Sequence, residues 1–264
     1  MKTFVFGFNG MLGNYLWRYL SGTFGVSKWE VDASARDWKT MKGQLDSLVI
    51  ERGDVVVNAM GLTNKRDNPD IDFLMVNAVF PRLLADYCEH RRAHMIHITT
   101  DCVYDGLRGS YNEDDVANAK DIYGLTKLLG EPTNCTVIRT SIVGENRRSD
   151  RDLLEWVRSN HGLEIKGYTN HFWNGITCLQ YAKVCEKIIR EKSYWMGVRH
   201  IHSPGKLTKY GLVKLINDTY DLGCTIIPTE SGKFCDRTLD SCYPMDFDIP
   251  TIEEQLIEQR NYLI

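Results

Sequence analysis

Thr3-Phe4-Val5-Phe6-Gly7-Phe8-Asn9-Gly10-Met11-Leu12-Gly13 is the stretch that decides the fold. A short apolar run passes directly into three glycines, and the next apolar residues, Leu12, Leu16, Tyr19 and Leu20, recur at helical spacing. Strand, glycine turn and helix in that order set the positive end of a helix, with its unpaired N–H groups, above a strand end, where a phosphate binds. Glycine lets the backbone turn sharply and come close to a pyrophosphate. The spacing is GxxGxxG, and its place between strand and helix marks a dinucleotide-binding turn. Gly7, Phe8, Asn9, Gly10, Met11, Leu12 and Gly13 are therefore candidate cofactor-binding residues.

The strand-then-helix rhythm continues outward from that turn. Trp29-Glu30-Val31 reads as a second strand, and Trp38, Met41, Leu45 and Leu48 form a helical stripe ahead of Asp54-Val55-Val56-Val57-Asn58. The β-branched residues of that last run suit a strand buried on both faces. A helix over 74–87 leads into Met95-Ile96-His97-Ile98, and Thr136-Val137-Ile138-Arg139 is a further strand. Alternating strands and helices predict an α/β fold, a Rossmann-type doubly wound parallel sheet with right-handed crossovers. Polar stretches at 144–152 and 167–175 then interrupt the rhythm; Cys178 to Ile189 is amphipathic again, Arg199 to His202 is strand-like, and 211–220 reads as a helix. The expected organisation is a dinucleotide-binding Rossmann domain from 1–144 and about 176–203. A smaller, partly interleaved C-terminal substrate lobe takes about 145–175 and 204–264.

Composition narrows the function class. A chain of 264 residues with 43% hydrophobic residues can bury one large core, or a core and a smaller lobe. The net charge of −3 and the dispersed basic residues leave no extended footprint for nucleic acid. Eight cysteines without CxxC spacing read as free thiols in a reducing compartment rather than as a metal site or disulfide framework. The apolar start is too short for a signal segment or a membrane span, so a cytoplasmic protein without membrane contact is expected.

Cofactor choice falls at the end of the second strand. Asp32 is placed to hold ribose hydroxyls, whereas Ser34 and Arg36 can cradle an extra phosphate; the pair tips the reading toward NADP(H) over NAD(H). The chemistry falls on Ile98-Thr99-Thr100-Asp101, a strand end, and on Tyr123-Gly124-Leu125-Thr126-Lys127, which should open a helix. At i and i+4, phenol and ammonium share one helical face. The ammonium is expected to lower the phenol pKa, so that Tyr123 exchanges a proton with a carbonyl oxygen that Thr100 also holds. Lys127 is also expected to orient the cofactor ribose.

With these motifs in place, the chain resembles the extended short-chain dehydrogenases/reductases, and among them the dTDP-4-dehydrorhamnose reductase family of sugar-nucleotide 4-ketoreductases. The resemblance runs through GFNGMLG from Gly7, VVVNAMG ending at Gly61, Asn77, ITTDCVYDG from Ile98, YNE at Tyr111, YGLTKLLGE from Tyr123 and VIRTSIVG ending at Gly144. It implies that Thr100, Tyr123 and Lys127 are catalytic. Asn58, Ala59, Met60, Gly61, Asn77 and Thr99 then belong to the cofactor side. Thr63, Asp101, Cys102, Val103, Tyr104, Thr140, Ser141, His171, Trp173, Asn174 and Arg237 belong to the substrate side. Arg237 is the counterpart of an arginine that contacts the nucleotide diphosphate. The implied substrate is a nucleotide-linked 4-keto-6-deoxy-sugar, reduced at C4 in deoxysugar biosynthesis without a metal, and the implied assembly is a homodimer.

Departures from the family pattern bear on the substrate. Cys102 stands where a tyrosine is common, Lys120-Asp121 where a proline precedes the catalytic tyrosine, and Asn170 to Thr177 where the pocket segment often reads PT. Related dehydratases carry Asp-Glu after the threonine, and here Asp101 is followed by Cys102, which disfavours dehydration. Simple 4-epimerases share the same three catalytic types. Two alternatives stay open at this stage: an epimerase/reductase of the GDP-fucose synthase type, with Cys102 and His171 as base and acid, and a non-catalytic nucleotide-binding regulatory subunit.

Overall fold

The computed structural model describes residues 1–29, 38–63, 68–146, 152–244 and 246–262. Strand β1 (Thr3–Phe6) leads through the glycine turn into α1 (Met11–Ser21), and β2 (Val26–Trp29), α2 (Trp38–Asp46) and β3 (Val55–Asn58) follow. A continuous helical rod comes next: α3 (Asp70–Leu74), a π turn over Met75–Val79, and α4 (Phe80–Arg91). The sheet is completed by β4 (His94–Thr100), α5 (Ile122–Leu129) and β5 (Thr136–Thr140). The chain then leaves it for β6 (Ile142–Val143), α6 (Leu153–Ser159), β7 (Glu164–Tyr168), β8 (His171–Trp173) and β9 (Ile176–Thr177). It returns through α7 (Cys178–Glu191) to β10 (Gly197–His200). The end of the chain holds β11 (Leu207–Thr208), α8 (Lys209–Thr219), β12 (Thr225–Thr229), β13 (Cys235–Asp236) and α9 (Ile252–Asn261).

The main sheet has the order β2-β1-β3-β4-β5-β10, and every neighbouring pair is parallel. Alternation along the strands feeds two cores. Val5, Val55 and Val57 face α1 and α7, with Leu16, Leu20, Leu179 and Ile188, while Phe4, Phe6 and Val56 face α2 and α4, with Met41, Leu45, Phe80 and Leu84. Burial on both faces is why β3 reads as an unbroken valine run. Each such side chain contributes about 1.5–3 kcal/mol relative to an exposed position. The second strand is described over Val26–Trp29, which pairs with Thr3–Phe6 at the sheet edge with Ser27 and Lys28 exposed; of the expected 29–31, residues 30 and 31 lie outside the described residues.

A third core lies beyond the C-terminal ends of the strands, where Leu154, Val157, Ile165, Trp173, Leu212, Ile216 and Leu256 pack together. Its strands are short and pair in small groups, β7 with β12, β8 between β11 and β13, and β6 with β9. Since β6 and β9 pair directly beyond the end of β5, this layer sits over the strand ends of the main sheet.

The seating of α5 depends on its last turn. A Cβ on Gly130 would land inside the Asn77 carbonyl of the π turn, so only glycine lets helix and turn touch. Gly130→Ala is expected to cost about 1–3 kcal/mol or more through overpacking, read as a lower urea midpoint at unchanged slope.

Candidate active site

The strand order reverses direction between β1 and β3, which opens a crevice where their following loops part. Gly7 lies at that point with φ of 77°; a Cβ there would come 2.9 Å from the Met60 nitrogen and 3.0 Å from the Ala59 oxygen. A Cβ on Gly13 would overlap the Gly7 carbonyl, so the glycine lets α1 press against the turn. Gly10 is the N-cap, in extended conformation, and its N–H donates to the Gly7 carbonyl at 2.9 Å. No side chain caps α1. The first-turn N–H groups thus have no acceptor along the helix and point to where an anion binds. The buried Thr99 hydroxyl bordering the same cleft has no partner within the protein. Glycine cradle, uncapped helix and orphan hydroxyl fit a dinucleotide.

The cluster at the end of β4 is held as tightly. Asp121 caps α5, accepting from the Gly124 N–H at 2.8 Å. A Cβ on Gly124 would collide with the Cys102 carbonyl, so the glycine lays the first turn of α5 on the short 3₁₀ turn Asp101–Val103. That contact brings the half-buried Tyr123 to the cleft that Thr100 also lines. Lys127 is 4% exposed and its Nζ donates to the Ile98 carbonyl at 2.7 Å.

The direction expected for Tyr123 is reversed. Burial raises its pKa, Cys102 and Asp101 add to the rise, and Thr100 offsets part of it. The Lys127 ammonium is turned to the β4 backbone, donating to the Ile98 carbonyl. Tyr123 therefore keeps its proton at neutral pH, the state a proton donor needs. Burial lowers Lys127 to about 8, against a smaller opposing pull from Glu131.

A cleft of about 380 Å³ joins the two halves of the site. Gly10, Met11 and Leu12 line one end, and Ala59, Met60, Gly61 and Thr63 one wall. Thr99, Thr100, Asp101, Cys102, Tyr123 and Lys127 also line it, with Thr140, beside Thr100 on the neighbouring strand β5, and Ser141 after it. The far end is Trp173 with Asn146, Asp152, Leu153, Lys209 and Leu212, five residues that the sequence reading missed. They carry no motif, and only folding brings α6 and α8 over the cleft.

Other sequence candidates serve the walls. Gly7 and Gly13 back the turn, Phe8 packs on the α1 core, and Asn9 is exposed at the turn. Asn58 accepts from the Met60 N–H at 3.1 Å and its amide meets His97 Nδ1 at 3.1 Å. Asn77 clamps both backbone groups of Leu62, at 2.8 and 3.0 Å, and reaches the Thr126 hydroxyl. Both asparagines thus fix the loop after β3. Asp32, Ser34 and Arg36 lie outside the described residues.

Several substrate-side candidates are drawn elsewhere. Val103 is fully buried, and Tyr104 stacks on Tyr111 and accepts from Arg139, itself paired with Glu131. Asn174 holds Leu239 through both backbone groups, at 2.7 and 2.9 Å. His171 Nε2 meets the Ser231 hydroxyl and the Lys233 carbonyl and does not line the cleft. Burial and Asp101 push the Cys102 thiol up to about 12. Without a thiolate or a facing imidazole, the epimerase pairing of Cys102 with His171 is not assembled. Arg237 borders this region, its Nε on the Tyr104 carbonyl at 2.8 Å and Nη1 3.6 Å from Cys102 Sγ.

Parallel sheet, glycine turn and the Thr-Tyr-Lys cluster together define an extended short-chain dehydrogenase/reductase fold. The family described as RmlD substrate binding domain matches residues 1–239, and the chain belongs to it. A reductase of Haloferax volcanii, named a probable low-salt glycan biosynthesis reductase, is 30% identical over 186 residues, 60% of each chain. The dTDP-4-dehydrorhamnose reductase of Salmonella typhimurium is 25% identical over 249 residues, 87% of this chain and 82% of that one. The crystal structure of a dTDP-4-dehydrorhamnose reductase from Bacillus anthracis in complex with NADP has a TM-score of 0.82 at 16% identity, covering 99% of each chain. Among the described residues no helix is long and apolar enough to cross a membrane.

The depressed Lys127 has a stability consequence. Its folded pKa, about 8, lies below its unfolded value, so the buried ammonium costs stability below pH 8 and the cost fades as pH rises toward the unfolded value. Lys127→Met is expected to be more stable than the parent at pH 7, with the gap narrowing by pH 9.5 in urea unfolding.

Proposed function

We propose that this chain is an NAD(P)H-dependent reductase of a nucleotide-linked 4-keto-6-deoxy-sugar, acting in deoxysugar biosynthesis. The observation that carries the reading is the meeting of Thr100, Tyr123 and Lys127 in one cleft whose end is the uncapped glycine turn. The relatives named as sugar-nucleotide reductases support the same reading.

Gly10, Met11 and Leu12 would hold the cofactor pyrophosphate, Ala59, Met60 and Gly61 would flank its nicotinamide, and Lys127 would hold its ribose. The bound nicotinamide supplies the hydride. Thr100 holds the C4 oxygen as charge develops on it, and Tyr123, protonated at neutral pH, gives that oxygen its proton. Trp173 and Leu212 offer an apolar floor for the sugar, and Lys209, 5.4 Å from the Trp173 ring centre, faces the substrate end with a positive charge. Ser34 and Arg36 favour NADP(H) as the partner.

Oxidation of NADPH and NADH, followed with dTDP-, UDP- and GDP-linked 4-keto-6-deoxy-hexoses, tests the proposal. Turnover with one of them, reduced about 10²-fold or more in Tyr123→Phe while NADPH binding persists, is the expected result. No oxidation with any sugar, or full activity in Tyr123→Phe, would sink it. Lys209→Gln is expected to raise KM for the sugar nucleotide several-fold at nearly constant kcat, and steady-state kinetics at low salt would read the split.

A further inference from the structure

We propose that His97 is a positioning residue for the nicotinamide cofactor: its imidazole Nδ1 holds the Asn58 amide in the single orientation that fixes the Met60 N–H, and so the cleft wall of Ala59, Met60 and Gly61. The proposal rests on the reductase reading, under which that wall flanks the nicotinamide. Asn58 and His97 are register partners on the parallel strands β3 and β4, so their side chains stand side by side on one face of the sheet. Both are fully buried, and His97 does not line the cleft. It acts on the wall through Asn58.

The hydrogens assign the imidazole. The Met60 N–H can only donate, so the Asn58 atom that meets it at 3.1 Å is the carbonyl oxygen Oδ1. The amide nitrogen Nδ2 then faces His97 Nδ1 at 3.1 Å. An amide nitrogen is a donor without acceptor capacity, so Nδ1 must accept and the ring hydrogen must sit on Nε2. Nε2 is buried and has no partner among the described residues. The ring thus forgoes a bond at Nε2 to serve the one at Nδ1.

The other states of the ring break this chain. A hydrogen on Nδ1, in the second tautomer or in the imidazolium, would set donor against donor. The Asn58 amide would then turn its oxygen to the ring and its nitrogen to Met60, whose N–H would lose its acceptor. A buried donor left unpaired is costly, so the loop would shift. Burial, then the charge of Lys127 on α5, hold the imidazole well below its usual pKa and neutral, against a smaller opposing pull from the Asn58 backbone. The same loop passes Lys127, since a Cβ on Gly61 would stand 3.9 Å from its Nζ. His97 therefore sets how the cofactor wall stands relative to that ammonium.

The test combines NADPH binding, read by the fluorescence of the bound nicotinamide, with steady-state kinetics and nitrogen NMR of the histidine rings. The parent should show the Nε2–H tautomer of His97 at neutral pH. His97→Leu keeps the bulk and removes the acceptor; it should raise both Kd and KM for NADPH about tenfold at little change in kcat. His97→Asn offers an oxygen near the place of Nδ1 and should bring both back to within about threefold of the parent. Asn58→Asp still accepts from Met60 but has no N–H for the ring, so Nδ1 should become protonated. An Nδ1–H tautomer in the parent, or a folded leucine variant that binds NADPH as the parent does, overturns the proposal. If the leucine variant does not fold, as judged by near-ultraviolet dichroism, an aspartate variant that keeps the Nε2–H tautomer overturns it. Binding is read without a sugar, so a parent that binds NADPH and reduces no keto-sugar overturns the substrate assignment alone. A parent that binds neither NADPH nor NADH overturns both.

Discussion

Backbone meets backbone at Gly7, and the site is arranged around that approach. The turn after β1 and the loop after β3 come so close that a single added carbon would press on Ala59 and Met60. The same turn receives α1 through Gly13. Because no side chain intervenes, the positive end of α1 stands directly at the crevice where strand order reverses. Everything at the cleft is placed relative to this point.

Polar side chains then hold the loops that glycine allows to meet. Asn58, Asn77 and Asp121 each bind backbone N–H groups, and none of their bonded groups is free to slide without leaving a buried donor unmatched. The cleft side chains inherit their order from this scaffold: Lys127 from the β4 carbonyl and Tyr123 from the close seating of α5. A desolvated pocket results, and it drives the phenol and the ammonium in opposite directions from their solution behaviour, toward the protonated phenol and a more easily deprotonated lysine.

Much of this was readable in the residues. Strands buried on both faces announce themselves as β-branched runs, so β1, β3, β4 and β5 fall where the pattern puts them. The half-exposed edge strand β2 has no such run, and of its described residues only Trp29 stood out in the sequence. The strands of the layer at the sheet's C-terminal ends are only two to five residues long and carry no period to detect. Motif spacing brought Thr100, Tyr123 and Lys127 together, but it could not show which neighbours point away. Tyr104 sits two residues past Cys102 yet faces Arg139 and His200, partners from distant strands. Likewise, Lys209 enters the cleft because α8 packs over it, a tertiary fact without local signature.

The π turn at Met75–Val79 sets the rotational phase of the rod that runs from α3 to α4. One residue more than an α-helical turn holds is accommodated there, and each residue of an α-helix advances about 100° around the axis. Asn77, in the middle of that wide turn, aims at Leu62 while Phe80 and Leu84 beyond it stay in the α4 core. The rod can therefore serve two masters at different angles: its first half is clocked to the loop after β3 and its second half to the sheet. A regular helix of the same sequence would satisfy one of these alignments and rotate the other out of register.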